Sequence, residues 1–116
     1  MKKRRWVRVT FNVPTTFNDD SKVPGLVMAR ILLRVAQAGG GYSMIRGVSG
    51  GWWSEPRRKV MLDTNRLVWV IVPQSKVSAI RLIVREIGSE LRQDAMYFET
   101  SLVYIEFIEC AKGGEA

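Results

Sequence analysis

The sequence predicts an α+β domain of order β-α-β-β-α-β, with four antiparallel strands in one sheet and both helices on one face. Three observations carry this expectation. Segments near the start and end alternate apolar and polar residues with a period of two, as half-buried strands do. Residues 67–72, "LVWVIV", are apolar throughout, which suits a strand covered on both faces. Between these strands, two segments repeat apolar residues every three or four positions, the period of a helix.

The first strand is "RWVRVTFNV", residues 5–13: Val7, Val9, Phe11 and Val13 share one face, and Trp6, Arg8, Thr10 and Asn12 share the other. "PTTFNDDS" follows as a turn, with Asp19, Asp20 and Ser21 as helix-capping candidates and Pro24 acceptable only in a first helical turn. A helix is expected over residues 22–37. Its polar residues Arg30, Arg34 and Gln37 form one narrow stripe, which implies cover on more than one side. Gly39–Gly41 end it, because glycine takes up the left-handed backbone without strain. A phosphate-binding loop needs a strand before its glycines and a helix after, and these glycines have the reverse setting.

Residues 42–48, "YSMIRGV", read as the second strand and 67–72 as the third, with "RRKVMLDTNR" as an extension interrupted by a bulge or turn at Asp63–Asn65. Pro73 stops the strand, and Ser75 is a natural cap for a second helix over 76–92. That helix turns Val77, Ile80, Val84, Ile87 and Leu91 inward, and Ser78, Arg81, Arg85, Ser89 and Arg92 outward, with Glu86 and Glu90 near the arginines. Gly88 within it costs about 1 kcal/mol relative to alanine, so it marks a close approach or a fraying end. "MYFETSLVYIEFIE" gives a short extended piece, a turn at Thr100–Ser101 and a last strand. In that strand Val103, Ile105 and Phe107 are expected to face the helices, and Leu102, Tyr104, Glu106 and Ile108 the open side. The expectation is a ferredoxin-like βαββαβ sandwich: one domain over residues 1–110, with a disordered tail over 111–116.

Composition narrows the function. Eighteen Lys and Arg against eleven Asp and Glu give a net charge of +7, which favours an anionic partner. Histidine is absent, removing the usual general base and metal ligand, and the lone Cys110 forms no internal disulfide. Catalytic residues, metal and cofactor are therefore all expected to be none, and the chain is expected not to be an enzyme. The acid–base alternative is an approach of Asp63, Glu55 and Glu99 to one another around the central hairpin. The basic start runs straight into an alternating strand with no apolar leader, and no span of membrane length follows, so a cytoplasmic setting is expected.

Two surfaces are candidates. On the open sheet face, Trp6, Arg8, Trp69, Leu102, Tyr104 and Ile108 form a patch too apolar to stay in water, hence an interface for oligomerisation or a ligand platform. The third strand contributes either Leu67, Trp69 and Ile71 or Val68, Val70 and Val72 to it. "VTFNVP" at 9–14 resembles the first-strand motif of RNA-recognition modules, although "NRLVWVIV" lacks the glycine and alternating aromatics of their third-strand motif. The layout also resembles the small signalling proteins of the PII type, without a matching ligand-loop motif. The second surface is "GGWWSEPRRK", residues 50–59, where Trp52, Trp53, Arg57, Arg58 and Lys59 combine rings for stacking with forks for phosphate. Strand alternation sends the two tryptophans to opposite faces, so one is expected in the core and the other at the site. The reading is a non-enzymatic oligomeric protein that captures a nucleotide-like anion or nucleic acid, of a kind carried by phages or mobile elements. Its alternative is a protein-interaction module that uses the open sheet face.

Overall fold

The alternation at residues 4–14 makes this first strand the hub of the sheet. The computed structural model describes residues 4–111, and the predicted tail beyond Ala111 lies outside them. The elements are β1 (Arg4–Pro14), α1 (Gly25–Gly39), β2 (Ser43–Ser54), β3 (Lys59–Val72), a 3-10 turn (Gln74–Lys76), α2 (Val77–Glu90) and β4 (Phe98–Ile105). They form one antiparallel sheet of order β2-β3-β1-β4. This is the ferredoxin-like α+β fold that the sequence predicts. Val7, Val9, Phe11 and Val13 of β1 and Val68, Val70 and Val72 of β3 are buried beneath Ile31 and Val35 of α1 and Ile80, Val84 and Ile87 of α2. Each such side chain contributes about 1.5–3 kcal/mol through removal from water.

α1 starts at Gly25 rather than at Lys22. The capping candidates serve the preceding loop instead: Asp19 accepts hydrogen bonds from the Ser21 backbone N–H and hydroxyl, and Thr16 bridges to Lys22. The Ser21 bonds hold the Asp19 carboxyl below its ordinary pKa. α1 packs on the sheet and alongside α2, while Leu26 and Leu33 stay exposed. Its polar stripe does find partners, as Arg30 and Arg34 pair with Glu90 and Glu86 of α2 at 2.7 Å each. Those carboxylates thus turn away from the arginines of their own helix. Ser75 sits in the 3-10 turn, and α2 follows without a side-chain cap.

β3 runs unbroken from Lys59 through Asp63–Asn65. The irregularity lies on β2, where the register skips from Ile45↔Leu67 to Val48↔Asn65 and Gly47 takes φ 67°. Two β2 residues there oppose one on β3, a bulge that glycine accommodates. β1 pairs with β3 only as far as Asn65, so the rest of the β2–β3 ribbon extends past the sheet as a two-stranded arm, and the domain measures 57 × 28 × 23 Å.

β4 has no turn at Thr100–Ser101, both of which lie within the strand. Its register, Leu102 opposite Val7 and Val103 opposite Trp6, inverts the expected faces. Leu102 and Tyr104 lie on the helix side, and Val103 and Ile105 on the open side. The inversion has a physical reason: β4 is an edge strand whose first residue, Phe98, packs against the core, whereas Leu102 and Tyr104 further along stay exposed on the nominally inner face. Its alternation therefore carries little burial signal. Phe107 and Ile108 follow the end of the strand and are exposed.

Candidate functional site

The open face gathers its aromatic residues at one end. Register places Trp69 opposite Thr10 and Ile71 opposite Arg8, so Leu67, Trp69 and Ile71 share this face with Trp6 and Arg8. Where β2 begins and β3 and β4 end, a cleft of about 590 Å³ is lined by Trp6, Tyr42, Trp69 and Phe107, with Lys76 as its cation and Glu106 as its carboxylate. This volume falls within the usual range of small-molecule sites, about 300–1,000 Å³.

Local backbone chemistry makes room for it. A Cβ on Gly39 would stand 2.8 Å from Val70 Cγ1, so only glycine lets the end of α1 press onto β3. Gly40 then takes φ 75°, the left-handed geometry that ends the helix, and Gly41 leads to Tyr42. Lys76 is the N-cap of α2, at the positive end of that helix's dipole. Arg8 lies with its guanidinium carbon 5.8 Å from the Trp69 ring centroid, a cation–π distance. The cleft thus supplies flat rings for a planar ligand and one cation, Lys76, for an anionic group.

Of the open-face residues expected from sequence, Trp6 and Trp69 line the cleft and Arg8 reaches only the Trp69 ring, whereas Leu102 and Tyr104 lie on the other face and Ile108 lies beyond β4. Tyr42, Lys76 and Phe107 were not foreseen. The signal for Tyr42 was its place directly after three glycines, a point where a helix end meets the sheet.

The arm carries the second candidate set. Trp52 opposes Met61 and Trp53 opposes Val60, on opposite faces of the ribbon, and they are 56% and 51% exposed. Neither ring is in the core. The expectation that one would be fails because no helix layer reaches this far, so the arm has no inner face. The tip turns through Arg58, whose φ is 53°; its N–H donates to the Ser54 carbonyl at 2.7 Å, while Ser54 Oγ accepts from the Arg57 N–H. Arg58 lies 5.7 Å from the Trp53 ring and pairs with Glu55 at 3.2 Å. Arg57 turns to the Met61 sulfur, and Lys59 opens β3 opposite Ser54. Trp53 and Arg58 therefore meet, whereas Trp52 stands across the ribbon from them.

The three carboxylates weighed for acid–base chemistry are engaged separately. Glu55 pairs with Arg58, Asp63 stands opposite Gly50 within the arm, and Glu99 accepts the Tyr97 hydroxyl at 2.6 Å. That bond and the Glu99 charge raise the Tyr97 pKa. No described helix is long and apolar enough to cross a membrane.

No protein-family model and no curated protein match the sequence. Several solved structures share the fold. A phage SAM lyase in complex with S-methyl-5'-thioadenosine is 10% identical with a TM-score of 0.63, over 95% of this chain and 93% of that one. CutA1 from Oryza sativa is 15% identical with a TM-score of 0.61, over 92% and 85%. The divalent ion tolerance protein CutA1 from Ehrlichia chaffeensis is 10% identical with a TM-score of 0.57, over 97% and 89%. At these identities the likeness is one of fold.

Proposed function

We propose that this chain is a non-catalytic, oligomeric protein that binds a nucleotide-like anion in the cleft at the end of its sheet. The observation that carries the reading is the meeting of Trp6, Tyr42, Trp69 and Phe107 around about 590 Å³, with Lys76 at the rim. Rings of this kind stack a base, and a lysine at the positive end of a helix dipole attracts its phosphate. The S-methyl-5'-thioadenosine held by the phage SAM lyase is an uncharged nucleoside, which supports the base and sugar of the ligand, while its anionic group rests on Lys76. The phage source of that neighbour accords with an accessory protein of a phage or mobile element. The exposed free thiol of Cys110 suits the reducing cytoplasm.

Oligomerisation rests on the arm. Trp52, Trp53, Val60 and Leu62 are all more than half exposed and occupy both of its faces, an apolar surface that a second copy covers. The tip lies the length of β3 from the cleft, roughly 40 Å at about 3.3 Å per residue. Arg57, Arg58 and Lys59 therefore act on a ligand in the cleft only across a boundary between copies. A second reading, docking of another protein, is favoured by the exposure of Tyr104, Phe107 and Ile108 around the end of β4.

Calorimetric titration with AMP and ATP at low and physiological salt tests the proposal, with native mass spectrometry giving the oligomer number. The expected result is saturable binding that weakens as salt rises and falls at least tenfold in Trp69→Ala. Absence of binding by either nucleotide to a well-folded oligomer would leave the protein-docking reading in its place.

A further inference from the structure

α2 sorts its charges by side. Glu86 and Glu90 reach across to Arg34 and Arg30 of α1, which leaves Arg81 and Arg85 on the opposite flank with no ion pair among the described residues. This flank is one wall of a separate groove of about 340 Å³ between α2 and residues 93–98. Its apolar lining is Val84, Met96 and Phe98, and Asp94 stands in the opposite wall, also without an ion pair among the described residues.

We propose that this groove binds a small zwitterion of the amino-acid type, its carboxylate held by Arg81 and Arg85, its ammonium by Asp94 and its apolar side chain by Met96 and Phe98. Arginines four residues apart on a helix have Cβ atoms about 6 Å apart, so both guanidinium groups converge on one carboxylate. Arg81 is steadied for this by the Phe98 ring, 5.1 Å below its guanidinium carbon. A plain anion would meet the Asp94 charge across the groove, whereas a ligand with an ammonium group at its other end is attracted by both walls. The volume lies at the small end of ligand sites, which suits a single amino acid rather than a nucleotide. Phe98 opens β4 and Phe107 follows its end, so the groove and the nucleotide cleft are roughly 25 Å apart at strand spacing and function independently.

The test is a ¹⁵N NMR titration of the full chain, following the backbone amides of Ser89, Gln93 and Ala95. L-phenylalanine should shift them saturably. N-acetyl-L-phenylalanine, which lacks the ammonium, and L-phenylalaninamide, which lacks the carboxylate, should each bind at least tenfold more weakly. Arg85→Ala should weaken phenylalanine binding at least tenfold with peak dispersion unchanged, and Asp94→Asn should abolish the preference for the free amine. Phenylalanine that fails to saturate overturns the proposal. So does inorganic phosphate binding more tightly than phenylalanine with no response to Asp94→Asn, since that would describe a simple anion site.

Discussion

Met96 occupies the space that a side chain at position 88 would fill: a Cβ on Gly88 would lie 2.6 Å from Met96 Cγ. Gly88 therefore marks a close approach in α2, and its helix-propensity cost is the condition for seating Met96. Gly88→Ala gains about 1 kcal/mol of propensity. It also displaces Met96, at an overpacking cost of about 1–3 kcal/mol. Urea denaturation should show a net loss of stability. In a Met96→Ala background the sign should reverse, with alanine at position 88 now the more stable; the same sign in both backgrounds would disprove this packing account.

Tyr97 and Glu99 give a test in alkali. The Tyr97 pKa is raised by the hydrogen bond to Glu99 and by its charge. The stabilisation is thus fully present below the unfolded tyrosine value of about 10 and is lost as pH rises through the higher folded value. Glu99→Gln should return Tyr97 to the ordinary range, read from the ring carbon resonances across the titration. Asp19 has the opposite sign. Its lowered pKa means that its contribution is present above the unfolded value and disappears as pH falls through the folded one. Ser21→Ala should bring the Asp19 carboxyl back up.

The Arg34–Glu86 pair spans the two helices at 2.7 Å, yet both side chains are well exposed. A double-mutant cycle with Arg34→Met and Glu86→Gln should give a coupling of only about 0.2–1 kcal/mol. Most of it should vanish in 1 M salt, where screening acts over about 3 Å. A coupling that survives such salt would mean that the pair is more shielded than its exposure implies.

Trp52→Ala and Trp53→Ala should each leave the thermal stability of dilute protein within about 0.5 kcal/mol of the parent, as expected for surface positions. Sedimentation should show that each weakens self-association, since the rings occupy both faces of the arm. If either change unfolds the dilute monomer, that ring supports the fold and the arm is not purely an association surface.

Most of the fold was legible because its signals were redundant. β1 and α2 state their buried faces with unbroken periodicity, and Val7 to Val13 and Val77 to Leu91 sit where that pattern requires. The difficulty lay where burial and alternation part company. In β4 both faces reach solvent, so an apolar pattern at Val103, Ile105 and Phe107 did not report which side faced the helices. In the arm the alternation of Trp52 and Trp53 was read correctly, but the core presumed beneath one of them does not extend that far. The cleft was half legible: Trp6 and Trp69 stand out in sequence, whereas Tyr42, Lys76 and Phe107 join them only through the meeting of three element ends.

The pairing of β1 with β4, which sets Arg4 beside Ile105, also carries an expectation about folding. The β2–β3 ribbon closes through a short turn and needs only neighbours in sequence, so it forms at little loop-closure cost. The β1–β4 seam joins positions separated by nearly the whole chain and completes only when everything between is in place. Loop-closure cost therefore predicts that the arm pairs before the β1–β4 seam closes, which leaves one edge of β1 open until β4 docks. An arm that pairs early exposes Trp52 and Trp53 before the seam closes, and Arg57 and Lys59 at its tip then oppose the approach of a second such tip by like-charge repulsion.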